Sequence, residues 1–396
     1  MESTGLSGVR PPSAIRSFPL ASGRIAELDG LRGVAILLVI ICHYFVGTTA
    51  PQRGTFLFYL QVPGRLAWSG VDLFFVLSGF LIGRILLDAR TSSRYFQVFY
   101  RRRFCRIVPI YAAMCLLWWI ALRPVFVRQF GVLGEVFPRP ASWWLYLTYV
   151  QNFWMASAGT LGTGWAVVTW SLAVEEQFYL MLPAVVKYVE ERQLVYVLGF
   201  AIAFAPCLRI LLFRLLPASQ GAVAAFTLMP CRADALLLGA LAALLVRRQS
   251  AWTYLVTHQR YLVGVFVILL GGVLYLTVKA PLQSGWPMVS FGYTWLGLCY
   301  VCLLLIAISG PGGFLGRVLR GRLLVWLGSV SYGAYLIHTV VLGLAFGFLR
   351  HHSPKIANVA DLMVVLFALC LTMTIAQLSW TFFEKPIVKY GHAVGY

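Results

Sequence analysis

The sequence predicts an all-α fold, a polytopic integral membrane protein of about ten transmembrane helices. Two observations carry this. Of 396 residues, 60% are hydrophobic and only 11% are charged, against roughly 25% charged in soluble domains. Apolar runs of about 20 residues recur along the chain, and a soluble core does not require runs of that length. The net charge of +19 would suggest nucleic acid in a soluble chain. Here the basic residues cluster between apolar runs, which points to membrane orientation and to an anionic ligand or lipid headgroup.

Taken in order, residues 1–27 are mixed and polar, with Arg10, Arg16 and Arg24, and read as a cytoplasmic tail ahead of a signal-anchor helix. The expected spans are 28–48, 70–88, 105–122, 168–189, 194–216, 228–246, 260–278, 289–309, 324–347 and 359–382. The stretch 143–157 is short and rich in Trp and Tyr, so it reads as an interfacial or re-entrant piece. A single transmembrane domain over 28–390 is followed by a cytoplasmic tail, 391–396. With ten spans and the amino terminus inside, 21 of the 32 Lys and Arg lie on the inner side, against 17 with an eleventh span. The positive-inside rule therefore favours ten spans, a multi-pass protein of the cell membrane with both termini cytoplasmic. The eight cysteines fall mostly in apolar runs and read as small buried hydrophobes, the mid-span Cys299 and Cys302 included.

Charges inside apolar runs are functional candidates, because hydrocarbon penalises them. The first span holds Arg32 and His43. Eleven helical steps of about 100° bring both to nearly one face, roughly 16 Å apart. A neutral imidazole at His43 suits a general base that takes a proton from a hydroxyl; the position also suits a core histidine bonded to a carbonyl. Asp29 stands one turn before Arg32, placed to pair with it. Arg103 and Arg106, beside Arg102, are an i, i+3 pair whose guanidinium groups face one way, fit either for a phosphate or for topology alone. Glu175 and Glu176 are adjacent, so on a helix they diverge by about 100° and make a poor paired-carboxylate site. Asp72, the Arg232 and Asp234 pair, and His338 complete the set; each also reads as a local ion pair, a helix-end charge or a core histidine. No nucleophile elbow, phosphate loop, dinucleotide fingerprint or zinc-spaced His/Cys cluster occurs, so no metal site and no covalent serine mechanism is expected.

Six segments, in this order, resemble the membrane acyltransferase family 3. Leu28-Asp-Gly-Leu-Arg-Gly33 with His43 resembles its R-x10-H motif. Asp72-Leu-Phe-Phe-Val-Leu-Ser-Gly-Phe80 resembles its second-span signature, and Arg103-Phe-Cys-Arg-Ile-Val-Pro109 its R-x-x-R-I-x-P segment, with Val108 where tyrosine is frequent. Trp170-Ser-Leu-Ala-Val-Glu-Glu-Gln-Phe-Tyr-Leu180 is the closest match, followed by Ser331-Tyr-Gly-Ala-Tyr-Leu-Ile-His338 and Phe383-Glu-Lys-Pro386. Many members append an esterase-like domain, for which a chain of 396 residues is not expected to have room.

The resemblance implies ten core helices and an O-acyltransferase. Acyl-CoA, most often acetyl-CoA, is then a co-substrate from the cytoplasm, with no tightly bound cofactor. The acceptor is a hydroxyl of a carbohydrate or a glycosylated metabolite such as a macrolide. On that reading His43 is the base, and Arg103, Arg106 and Arg32 hold the donor's phosphates. Asp29 orients Arg32, Glu176 and Asp72 are supporting or acceptor-side groups, and Glu175, Arg232, Asp234 and His338 are further candidates. The rival is a transporter or flippase that uses the same buried charges as a proton relay. A non-catalytic scaffold would leave their burial without compensation.

Overall fold

In the computed structural model, residues 25–49, 64–121, 142–162, 164–279 and 285–396 are described. Most of the expected cytoplasmic tail, residues 1–24, lies outside them. The long helices are α1 (Ala26–Ile41), α2 (Gly70–Ala89) and α3 (Tyr95–Ala121); a short pair, α4 (Trp143–Leu147) and α5 (Gln151–Ala158), precedes α6 (Thr169–Tyr188) and α7 (Glu191–Leu215). Next come α8 (Ala218–Thr227) running into α9 (Met229–Val246), α10 (Gln249–Thr257), α11 (Gln259–Lys279) and α12 (Tyr293–Ser309). The chain closes with α13 (Phe314–Leu319), α14 (Arg322–Arg350), α15 (Val359–Ser379) and α16 (Lys385–His392). Among the described residues, nine helical stretches are long and apolar enough to cross a membrane. The tenth expected span is α6, which forms as a helix but carries Glu175, Glu176 and Gln177 at its middle. The chain is thus an all-α polytopic membrane protein, as its hydropathy predicts.

Three local features depart from the expected spans. α3 begins at Tyr95 rather than at 105, because Tyr95, Val98 and Phe99 bury a helical face that continues through the arginines. The hydropathy of residues 101–106 hides this. α1 does not run evenly to 48; from Cys42 to Val46 it becomes a π-helix, so His43 sits on a widened turn. Residues 143–158 fold as two short helices, neither long enough to span. They are separated where Tyr149 takes a left-handed φ of 57°.

Small residues set the packing of the central helices. A Cβ on Gly79 of α2 would lie 1.8 Å from the Leu236 carbonyl oxygen of α9, and one on Gly239 would lie 2.1 Å from that of Val76. Gly33 of α1 and Gly328 of α14 allow the same approach, with Cβ positions 2.1 Å from Leu324 O and 2.0 Å from Asp29 O. Water does not drive helices together within a bilayer, so close van der Waals contact between backbones does that work. These two glycine-mediated pairs, α2 with α9 and α1 with α14, frame the site.

Candidate active site

Between α1, α2, α3, α6 and α14 lies a cavity of about 170 Å³. Arg32 enters it from α1, Arg103 and Arg106 from α3, and Glu175 and Tyr179 from α6. Residues far apart in sequence thus meet at one place. Arg103 and Arg106 share a face because they are three residues apart. Arg32 Nη1 pairs with Asp29 Oδ1 at 3.4 Å, the expected i, i+3 partner. Arg103 keeps its Nε buried without a hydrogen-bond partner among the described residues. Three guanidinium groups against one facing glutamate give the cavity an excess of positive charge, which suits a polyanion.

The carboxylate and hydroxyl groups are held from several helices. Tyr179 donates to Glu175 Oε2 at 3.1 Å, and its hydroxyl also bonds that of Ser78 on α2. Tyr335 of α14 donates to Val168 O at 3.0 Å and lies 2.6 Å from Ser171 Oγ. Tyr332 donates to Ile107 O at 3.1 Å, joining α14 to the arginine helix. Glu176, as its 100° divergence from Glu175 requires, does not line the cavity. Its Oε1 is buried without a hydrogen-bond partner among the described residues.

His43 is not part of the cavity wall. It packs against His338, the buried histidine one turn beyond Tyr335 on α14, with ring centroids 4.8 Å apart. His338 Nδ1 lies 2.7 Å from Tyr335 O, so it carries the proton it donates there. Its Nε2 is then an acceptor, 3.3 Å from His43 Nδ1. His43 Nδ1 also lies 2.9 Å from Val39 O, so it too is the protonated nitrogen. This tautomer leaves His43 Nε2 with a lone pair that no hydrogen bond uses among the described residues, the requirement for a base. Arg32 lines the cavity together with Tyr332 and Tyr335 of α14, and His43 packs on His338 of the same helix.

Asp72, Arg232 and Asp234 form a separate cluster, and the expected pairing of Arg232 with Asp234 gives way to two crossed pairs. Arg232 Nη2 bonds Asp72 Oδ1 at 2.6 Å, and Arg209 Nη1 bonds Asp234 Oδ2 at 2.8 Å. Residues two apart on a helix diverge, so each reaches a different neighbour. Every nitrogen of the Arg209 guanidinium has a partner: Nε donates to Val289 O at 2.7 Å, Nη1 also to Cys231 O at 2.6 Å, and Nη2 to Thr294 Oγ1 at 2.7 Å. Arg232 stacks on Tyr293, 3.9 Å from the ring centroid. This network ties α2, α7, α9 and α12 together and lies apart from the arginine cavity.

Sequence reasoning passes over Arg209, although an arginine inside the α7 apolar run is the same signal that singles out Arg32. It also passes over Ser78, Tyr179 and Tyr335, ordinary polar residues that gain meaning only from their partners. Glu384 is a further buried carboxylate. It accepts from Ser379 Oγ at 2.9 Å and lies so close to α14 that a Cβ on Gly333 would be 2.8 Å from its Oε1.

The acyltransferase domain of family 3 matches residues 25–381. The peptidoglycan O-acetyltransferase OatA of Listeria monocytogenes is 27% identical over 93% of this chain and 56% of its own length. The putative peptidoglycan O-acetyltransferase YrhL of Bacillus subtilis is 28% identical over 93% of this chain and 55% of its own. The O-acetyltransferase OatA of Staphylococcus aureus is 25% identical, with 92% and 57% covered. The chain thus spans little more than half the length of these relatives. No solved structure matches it. With the family match running from the start of α1 to within five residues of α16 and covering every residue of the cavity, the chain belongs to acyltransferase family 3.

Proposed function

We propose that this protein is a membrane O-acyltransferase that moves an acyl group, acetyl first among candidates, from acyl-CoA to a carbohydrate hydroxyl. One observation carries the reading: three arginines from two helices share a cavity, and on α14 the next turn beyond it holds the histidine that meets His43. CoA is polyanionic at one end and carries its thioester at the end of a long arm. Arg32, Arg103 and Arg106 suit the phosphates, and about 16 Å of α1 separates Arg32 from His43.

In the reaction, His43 Nε2 takes the proton of the acceptor hydroxyl as its oxygen bonds to the thioester carbonyl carbon. The carbon–sulfur bond then breaks, the ester is released, and the thiolate leaves as CoA after recovering the proton from the imidazolium. His338 holds the His43 ring in the tautomer this needs. The names of the relatives support a glycan of the peptidoglycan type as the first candidate acceptor; a glycosylated metabolite such as a macrolide is the second. Both termini and the arginine end of the cavity face the cytoplasm on this reading, where acyl-CoA is made. The family makes the transporter reading the weaker one, since it gives no use for a base beside a polyanion cavity.

The reading is tested by incubating membranes that contain the protein with radiolabelled acetyl-CoA and glycan acceptors. Label passes to the acceptor in base-labile ester linkage; flux of acceptor across the membrane without acetyl-CoA, and without ester formation, would overturn it.

A further inference from the structure

The C-terminal segment packs on the back of the arginine helix, beyond the family match, which ends at residue 381. Arg101 of α3 stacks on Tyr390 at 4.7 Å from the ring centroid. Arg102 stacks on Tyr396 at 4.8 Å and donates from Nη2 to Val394 O at 3.0 Å. Between these contacts the buried Gly391 lies against α3 so tightly that a Cβ there would be 2.8 Å from the Cβ of Cys105. The segment therefore engages residues 101, 102 and 105, which alternate along the helix with the cavity-lining Arg103 and Arg106.

α3 needs such support at this point. Pro109 lies inside it. A proline there has no N–H to bond the Cys105 carbonyl, and its ring crowds that carbonyl. The half of α3 before the proline is thus weakly coupled to the half after it. Its other ties are the buried face of Tyr95, Val98 and Phe99, the cation–π contact of Lys187 with the Tyr95 ring at 5.1 Å, and the hydrogen bonds of Tyr95 to Pro183 O at 3.0 Å, Tyr100 to Leu180 O at 3.1 Å and Tyr332 to Ile107 O at 3.1 Å.

We propose that residues 385–396 are a positioning clasp for the first half of α3, with Tyr390 and Tyr396 as its contact residues, fixing Arg103 and Arg106 where the donor's phosphates meet them. The donor part of this rests on the function proposed above; the mechanical part does not. The clasp residues touch no reacting atom. Their loss therefore raises KM for the donor and leaves kcat in place.

The test uses the full chain in detergent, comparing wild type, Tyr390→Ala/Tyr396→Ala, and the conservative Tyr390→Phe/Tyr396→Phe. Without donor, hydrogen exchange of amides in residues 95–108 speeds up in the alanine pair, while exchange in α2 and α9 stays as in wild type. With acetyl-CoA, KM for the donor rises roughly tenfold in the alanine pair, the size expected from two cation–π contacts. kcat stays within about twofold, and the phenylalanine pair, which keeps both rings, behaves as wild type. Unchanged exchange in 95–108 overturns the clasp whatever the donor is. Faster exchange with an unchanged donor KM overturns its role in donor binding. Faster exchange in the alanine pair, together with a wild type that uses no acetyl-CoA, overturns that role and the proposed donor, and leaves the mechanical clasp standing.

Discussion

His338 presents its Nε2 to His43 Nδ1 at 3.3 Å, across the contact of α14 with the π-helical end of α1. The pair fixes which nitrogen of His43 is free. His338→Ala removes that partner while Val39 O still holds the His43 ring. The expected loss is about threefold to tenfold in kcat, the worth of one neutral hydrogen bond, with donor KM unchanged. Steady-state kinetics with acetyl-CoA check it; a loss as deep as that of His43→Ala would make His338 the base.

The arginine cavity makes a separate prediction. Arg103→Ala and Arg106→Ala each remove a charged donor from the proposed phosphate site. Each raises donor KM by roughly tenfold to a hundredfold, as expected for hydrogen bonds to charged groups of about 1.5–3 kcal/mol. Arg103→Lys recovers only part, because an ammonium lacks the planar fork. Isothermal titration of the purified protein with CoA reads this directly, and equal binding by all variants would exclude the cavity as the donor site.

The buried pair of Asp72 and Arg232 acts on stability. Either Asp72→Ala or Arg232→Ala strands a charge in the core and destabilises by about 3–5 kcal/mol. Replacing both with apolar residues of similar size, Asp72→Leu/Arg232→Met, restores most of the loss, since no charge is then left unpaired. Thermal unfolding in detergent separates the outcomes. A double variant no better than the singles would point to a role beyond packing.

Glycine contacts give the plainest packing test. Gly79→Ala puts a methyl group on a backbone oxygen and forces α2 from α9, at about 1–3 kcal/mol. Gly199→Ala in α7 meets nothing within 4 Å and is neutral or stabilising by roughly 0.5–1 kcal/mol. Melting temperatures of the two variants rank them; the reverse order would contradict the close crossing.

Much of the fold was legible in the sequence because lipid imposes length and apolarity on every crossing helix. The order of the helices, a piece at 143–157 too short to span, and Arg32, Arg103, Arg106 and Glu175 as candidates all follow from apolar runs and misplaced charges; that these four meet in one cavity does not. What was hidden depends on partners. The true start of α3 was masked by its own arginines, whose neighbours Tyr95 and Phe99 carry the buried face. Arg232 and Asp234 looked like one pair, and only the positions of Asp72 and Arg209 separate them. The π-helical turn at His43, and the meeting of His43 with His338 almost three hundred residues later, leave no local sequence signal.

The most direct test of the account is kcat for acetyl transfer by His43→Ala, measured in protein whose unfolding temperature and CoA binding match wild type. The account predicts a fall of about 10²- to 10⁴-fold, the contribution of a positioned general base. Donor KM stays within about twofold. Transfer at the wild-type rate by that folded, CoA-binding variant would contradict it.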